Sequence, residues 1–273
     1  MRIELREVGY VYAAGTPLEV VALRGVSLCV EPGEVLAVVG GTGSGKSTLA
    51  QHLNLLLEPT SGEVLVDGRD ARRLNRGELR RRVGLVFQFP EAALFAPTVR
   101  EDVAFAPRRM GMEGAKLEET VEGVLNRLGI GHLAQRVPHS LSGGEKRRAA
   151  IAGVLAMGSE VLVLDEPTAG LDPATREDLL DVVRDLRDGS KTIVLVSHDL
   201  DEVSEVADRV CVMENGVVAA LGMPEEVFYA GSVSRMAPST VRVANALRGD
   251  HPEVGNPVSL GETLAALKAV LKE

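Results

Sequence analysis

Residues 35–48 read Val35-Leu36-Ala37-Val38-Val39-Gly40-Gly41-Thr42-Gly43-Ser44-Gly45-Lys46-Ser47-Thr48. The first five are apolar without alternation, as in a parallel strand covered on both faces. The last nine fit G-x-x-x-x-G-K-[ST], a loop that joins a strand to a helix and cradles phosphates. Its glycines let backbone N–H groups curl around phosphate oxygens, and the helix N-terminus adds partial positive charge. Lys46 supplies a full charge, and the Ser47 hydroxyl can ligate Mg²⁺. Gly40, Gly41, Thr42, Gly43, Ser44, Gly45, Lys46, Ser47 and Thr48 are therefore candidate nucleotide-binding residues. A glycine-rich turn with no ligand is the bland alternative. The buried strand before the loop and the helical pattern from 46 to about 56 after it argue against that alternative.

Working outward, residues 2–8 and 24–30 alternate as strands do, and Pro32-Gly33 turns the chain into the apolar run. Pro59 to Gly62 turns into another short strand at 64–66. The stretch from about 90 to 157 is mostly helical, with Leu117, Val121, Val124, Leu125 and Leu128 on one face. Strand and helix then alternate: strands at 161–164, 192–196 and 209–213, helices at 174–188 and 199–206. Such alternation with fully apolar strands predicts an α/β fold, a parallel sheet flanked by helices. From about 231 the chain is rich in Pro, Gly and Ser, then closes with a helix over 260–271. Leu260, Leu264, Leu267 and Leu271 form a narrow stripe there. The stripe serves either docking on the chain's own body or pairing with a partner.

At 273 residues and 45% apolar, the chain can bury a full core, and 25% charged residues exclude global disorder. No apolar run approaches the roughly 18 residues of a membrane span. Met1-Arg2-Ile3-Glu4-Leu5 lacks the apolar core of a signal peptide, so a cytoplasmic protein is expected. The net charge of −9 argues against nucleic acid as a partner. The arginines between Arg72 and Arg82 read as a solvated helix face. Cys29 and Cys211 fit no metal or redox spacing and are expected as small core residues.

The run at 161–164 leads into Asp165-Glu166, placing two acids at the carboxyl edge of the sheet. Asp165 is placed to hold Mg²⁺ through water, and Glu166 to polarise the water that attacks a γ-phosphate. The run at 194–196 leads likewise into Ser197-His198. His198 is a candidate to bond the γ-phosphate and keep the water and Glu166 in register. Gln88, after a strand at 83–87, is a candidate sensor of Mg²⁺ and γ-phosphate. The catalytic candidates are thus Lys46, Glu166 and His198, and the metal candidates Ser47, Gln88 and Asp165. No Asn-Lys-x-Asp guanine-reading motif occurs, so ATP with Mg²⁺ is the expected cofactor pair.

Leu141-Ser142-Gly143-Gly144-Glu145 opens the helix that continues to 157. Ser142 and Glu145 make a capping box, which leaves Gly143 and Gly144 unexplained, since glycine weakens a first turn. Two glycines there open backbone N–H groups to a group that approaches closely, such as phosphate oxygens. With this motif the chain resembles, over about residues 1–230, the nucleotide-binding subunit of an ATP-binding cassette (ABC) transporter. The resemblance implies a P-loop NTPase fold with an antiparallel β subdomain and a helical subdomain over about 90–157. It implies that Ser142, Gly143, Gly144 and Glu145 contact the γ-phosphate held by the other protomer of a pair. It also implies that Tyr12 stacks on adenine, with Tyr10 close enough to leave the choice open, and that Asp172 bridges the two protomers. Asp172-Pro173 reads equally as a helix cap and first turn.

Within that family the likeness is to energy-coupling factor ATPases, which drive vitamin and cobalt or nickel importers. It rests on Val86 to Glu91, Leu94 to Val99, Glu101 to Phe105, Gln51-His52-Leu53-Asn54 and Gly15 to Leu18. Phe89 with Ala92-Ala93 departs from the subfamily pattern. The implied partners are a second identical or paralogous ATPase subunit, an integral membrane coupling subunit and a substrate-binding membrane subunit. The implied location is the cytoplasmic face of the membrane, and residues 231–273 resemble an added dimer-contact segment. Phe89, Leu94 and Phe95 are either core at the helical-subdomain boundary or a groove for a helix of the membrane partner.

Overall fold

In the computed structural model the described residues are 1–89, 93–230 and 237–271. The first third contributes β1 (Ile3–Tyr12), β2 (Val20–Val30), β3 (Val35–Val39), α1 (Lys46–His52), β4 (Ser61–Val66) and β5 (Arg69–Asp70). Next come α2 (Arg76–Arg82), β6 (Val83–Val86), α3 (Val99–Arg109), α4 (Gly114–Arg127) and α5 (Gly143–Ala156). The alternating section follows as β7 (Val161–Asp165), α6 (Pro173–Asp188), β8 (Thr192–Val196), α7 (Leu200–Val206) and β9 (Arg209–Glu214). The chain ends with β10 (Val217–Gly222), α8 (Pro224–Tyr229), α9 (Ser239–Leu247) and α10 (Leu260–Val270).

Two sheets result. One is antiparallel in the order β2-β1-β4-β5, and the other runs β10-β9-β3-β8-β7-β6. In the second sheet every pair from β9 to β6 is parallel, and only β10 turns back on β9. Every residue of β3, β7 and β8 is buried, as their unbroken apolar sequences require of strands covered on both faces. One core lies between this sheet and α3–α6. A second joins the sheet's other face to α1 and the antiparallel sheet. In α4 the stripe Leu117, Val121 and Leu125 faces the first core, with Val124 only partly covered.

The structure departs from the sequence reading in several places. Helix α1 ends at His52 rather than near 56, because Leu55 adopts φ 51°. The amides of Leu56 and Leu57 then both donate back to the Gln51 carbonyl. Strand β10 went unread because its side chains alternate between exposed and half-buried and form no apolar run. Helix α9 lies outside the sequence expectation too, although Val241 packs in a third core with β9 and α8. Cys211 is core, its thiol pushed up to about 12 by burial. Cys29 is only half-buried, bonded by Arg2 Nε at 3.0 Å and donating to Glu31 at 3.1 Å, and so is not a core residue. Along and just past α10, Leu260, Leu264 and Leu271 are exposed and Leu267 is half-buried, so the chain's own body leaves most of the leucine stripe uncovered. Among the described residues no helix is long and apolar enough to cross a membrane.

Candidate nucleotide-hydrolysis site

Parallel strands deliver their carboxyl ends to one edge, and the pairings order the site. Val38 of β3 lies beside Val196 of β8, Asp165 of β7 beside Val196, and Val86 of β6 beside Leu164. The loop from 40, then His198, then Asp165-Glu166, then Gln88 are therefore neighbours along this edge. Gln88 is half-buried just past the end of β6.

Gly40 has φ 148° and backs onto the Met213 carbonyl, into which any Cβ would collide. Only glycine lets the loop turn this close to β9. Lys46 is buried and its Nζ donates to the carbonyls of Gly40 at 2.8 Å and Gly41 at 3.0 Å, not to a carboxylate. The Ser44 hydroxyl is buried without a partner. A buried ammonium and an orphaned hydroxyl inside a ring of glycines fit an anionic ligand that supplies the missing acceptors. An open groove of about 280 Å³ runs alongside, between residues 41–44 and 213–215.

Ser47 Oγ donates to Asp165 Oδ1 at 3.2 Å, which brings together two of the proposed metal ligands. Burial pushes the Asp165 carboxyl above its ordinary range; the Glu166 charge adds to this, while the Ser47 bond and Lys46 oppose it. A divalent cation fits here because it supplies the positive charge that this buried carboxylate lacks. No group of three or more His, Cys, Asp or Glu among the described residues could hold a metal alone. A hydroxyl and one carboxylate, with ligand oxygens and water completing the shell, suit Mg²⁺.

Glu166 is the next residue and adopts φ 51°, a left-handed conformation that costs a non-glycine residue about 1–2 kcal/mol. Its amide donates to the Val196 carbonyl at 2.9 Å, and its Oε2 accepts from His198 Nδ1 at 2.6 Å. The Glu166 side chain is largely buried, whereas that of His198 is 67% exposed, so the histidine's second nitrogen stays open to a ligand. The pair joins a general-base candidate to an orienting ring, the arrangement such chemistry needs.

Tyr12 and Tyr10 are distinguished by exposure. Tyr10 packs on the second core, edge-on to His52 at 4.9 Å. The Tyr12 ring is 38% exposed, edge-on to Tyr10 at 4.8 Å, with its hydroxyl 3.1 Å from Thr48 Oγ1. His52 Nδ1 closes the circle by donating to the Thr48 carbonyl at 2.7 Å. Tyr12 is thus the ring available beside the phosphate loop.

At the tip of α5 the capping box forms: Glu145 N donates to Ser142 Oγ, and Ser142 N to Glu145 Oε2. The two glycines differ. Gly144 is buried, and a Cβ there would collide with Thr175 Cγ2 of α6, so close packing inside the chain explains it. Gly143 is exposed, its nearest neighbour Leu171 Cδ2 at 3.4 Å from a built Cβ, so it alone keeps the phosphate explanation. Arg147 reaches from α5 to the Ala169 carbonyl at 2.5 Å. Asp172 caps α6, accepting from Thr175 N at 3.1 Å and Thr175 Oγ1 at 2.6 Å, bonds that hold its carboxyl below the ordinary range. Among the described residues no hydrogen bond or ion pair joins 142–145 to 40–48.

Phe87, Phe89, Phe95 and Phe105 are exposed, and Phe95 meets Phe105 edge-on at 4.8 Å. Phe87, Phe95 and Phe105 line a groove of about 200 Å³ floored by α5. Leu94 belongs instead to the first core, and Pro90, Glu91 and Ala92 lie outside the described residues. The sequence reading missed a polar cluster behind the site, in which Thr168, Ser197 and Glu202 are buried and Arg176 is half-exposed. The only signal for it was Glu202, one helical turn after His198.

Residues 23–169 match the family described as ABC transporter. The chain is 46% identical to energy-coupling factor transporter ATP-binding protein EcfA2 of Symbiobacterium thermophilum, over 99% of this chain and 97% of that one. It is 44% identical to the corresponding EcfA of Methanothermobacter thermautotrophicus, over 98% and 87%. Among solved structures it resembles cbiO1 from Clostridium perfringens, described as part of the ABC transporter complex cbiONQ. That match has a TM-score of 0.78 at 37% identity and covers 92% of this chain and 96% of that one. A dimeric ATP-binding cassette in a post-hydrolysis state with ADP and Pi matches with a TM-score of 0.71 at 29% identity, covering 81% and 98%.

Proposed function

The chain belongs to the ABC transporter family, and from that premise we propose that it is the ATP-hydrolysing subunit of an energy-coupling factor importer. It works head-to-tail with a second copy or a close paralogue. The observation that carries this reading is the pairing of Ser47 with Asp165 and of Glu166 with His198 along one sheet edge, beside the buried Lys46.

The triphosphate lies in the loop at 40–48, where Lys46 exchanges its two carbonyl partners for phosphate oxygens and Ser44 gains one. Ser47 and Asp165 hold Mg²⁺, which when bound supplies charge against the phosphates. Glu166 takes the proton of the attacking water, and His198 holds its carboxylate in place. Tyr12 carries the adenine. Ser142 and Gly143 lie on another part of the chain, so they serve the nucleotide of the partner, and Asp172 stands at the seam. The exposed leucines of α10 extend that contact. The phenylalanine groove takes a helix of the membrane coupling subunit at the cytoplasmic face. The cargo, a vitamin or a cobalt or nickel ion, is chosen by a separate membrane protein.

Turnover by the purified chain, measured against protomer concentration with sedimentation in parallel, tests the paired site. Rates should rise with dimer content, and steady turnover by a strictly monomeric form overturns the reading. Recovering the tagged chain from its own membranes and identifying the proteins and small molecule held with it tests the importer assignment.

A further inference from the structure

We propose that Glu202 is a positioning residue for hydrolysis: from behind the site it clamps the loop bearing Glu166 to the loop bearing His198. Glu202 lies on α7 and is only 4% exposed. Its Oε2 accepts from Thr168 Oγ1 at 2.7 Å and from Ser197 Oγ at 3.3 Å, and its Oε1 lies 3.1 Å from Arg176 Nε. Each anchor is next to an acting residue. Thr168 is two residues past Glu166, Ser197 directly precedes His198, and Arg176 is in the first turn of α6, which Asp172 caps.

The set closes on itself. Arg176 also bonds Asp199 Oδ2 at 2.7 Å, and the Asp199 amide donates to Ser197 Oγ at 3.0 Å. Asp199 in turn caps α7 through the amides of Asp201 and Glu202. Across the front, the two loops meet through the Glu166–His198 contact at 2.6 Å and the Glu166 amide on the Val196 carbonyl. Because the His198 side chain is mostly exposed, packing does not hold its ring. Apart from the Glu166 bond, its place is set by its backbone, and that backbone is held through Ser197 by Glu202.

Cost points the same way. Burial pushes the Glu202 carboxyl upward and the Asp199 charge adds to this, while the Thr168 bond and Arg176 oppose it. Burying a carboxylate costs free energy even when it is paired, here with a half-exposed arginine, so stability is a weak reason to keep one there. Fixing two loops in one geometry is a stronger one. A misplacement of about 1 Å in a reacting group costs on the order of a hundredfold in rate.

The proposal rests on the hydrolytic roles given to Glu166 and His198, and the experiment separates the two. In full-length protein with Mg²⁺-ATP, Glu202→Gln keeps the side chain's shape but must turn an amide donor toward either the guanidinium or the two hydroxyls. Its kcat should fall roughly ten- to a hundredfold, with KM for ATP and nucleotide-driven dimerisation unchanged. Thr168→Val cuts the clamp on its other side with the carboxylate intact and should lower kcat in the same way. On a His198→Ala background, where one of the two clamped groups is gone, Glu202→Gln should cost clearly less than in the parent. The same loss on both backgrounds marks a merely structural residue and overturns the proposal. Wild-type kcat in both clamp variants, alongside a dead His198→Ala, overturns the clamp alone. Full turnover by His198→Ala overturns the hydrolytic reading beneath it.

Discussion

Exchanging each glycine at the α5 tip for alanine separates packing from ligand contact, because their surroundings differ. In Gly144→Ala the new methyl must displace Thr175 Cγ2. Thr175 cannot simply rotate away, since its hydroxyl is bonded to Asp172 Oδ2 at 2.6 Å. Forcing an extra methyl into a filled contact costs about 1–3 kcal/mol. The better helix propensity of alanine returns at most about 1 kcal/mol. The net loss is therefore on the order of 1–2 kcal/mol, a fall of roughly 2–8 °C in melting temperature. Thr175→Ser removes the obstructing methyl but keeps the hydroxyl for Asp172. On that background Gly144→Ala should become neutral or stabilising. Gly143→Ala meets nothing closer than 3.4 Å and should leave stability within about 0.5 kcal/mol. In the proposed pair, however, its Cβ would stand on the face turned to the partner's phosphate. Loss of one hydrogen bond to a charged group, worth about 1.5–3 kcal/mol, should lower kcat/KM roughly ten- to a hundredfold. Thermal melts of the four variants and steady-state phosphate release check both halves. A Gly144→Ala protein as stable as the parent refutes the packing argument, and a fully active Gly143→Ala refutes the trans-phosphate one.

Three further outcomes are expected. Glu166→Gln should bind ATP, accumulate as a closed dimer on gel filtration and lose phosphate release; undiminished hydrolysis removes Glu166 from its role. Tyr12→Ala should raise KM for ATP several-fold with kcat retained, while Tyr12→Phe, which loses only the Thr48 bond, stays near the parent; an unchanged KM in Tyr12→Ala moves adenine elsewhere. His52 is fully buried and burial holds its imidazole below the ordinary 6.5, so as pH falls the unfolded chain takes up the proton first. The stability it contributes is thus full above 6.5 and declines below it, with a slope approaching about 1.4 kcal/mol per pH unit. His52→Gln should flatten that part of the stability–pH curve measured by denaturation, and superimposable curves for the two proteins exclude the histidine as its source.

How much of this was legible depended on whether the cause was local. The unbroken apolar run of β3 demands burial on both faces, and the loop after it carries its chemistry within nine residues, so strand, cradle and helix could be read together. The same holds for β7 into Asp165-Glu166 and β8 into Ser197-His198. Strand β10 gave no such signal, because it lies at the sheet edge with neither face fully covered. Cys29 looked like core for the opposite reason: its strand alternates, but its side chain falls where Arg2 and Glu31 reach it. The phenylalanines pointed to an apolar cluster, yet only the fold shows that Leu94 turns inward while Phe105, from the next helix, completes the exposed set.

The remaining gap has one physical origin. A residue that touches ligand must carry a particular chemical group at a particular strand end, and this leaves a mark in the sequence. A residue that holds such a group from behind needs only to meet another residue in space. Glu202 and Thr168 are 34 positions apart, and either alone is an ordinary helical acid or loop hydroxyl. Gly144 and Thr175 meet through the packing of two helices, so the glycine reads as open to a ligand until Thr175 is seen beside it. The arrangement matters for how the chain works. The tip of α5, which serves the partner's nucleotide in the proposed pair, is keyed to α6 at Thr175 and to the Ala169 carbonyl through Arg147. Ala169 is three residues past Glu166 and adjoins Thr168, which Glu202 holds. In the proposed pair, a shift of the α5 tip is therefore passed through Arg147 and Thr175 to the loop that carries this chain's own base.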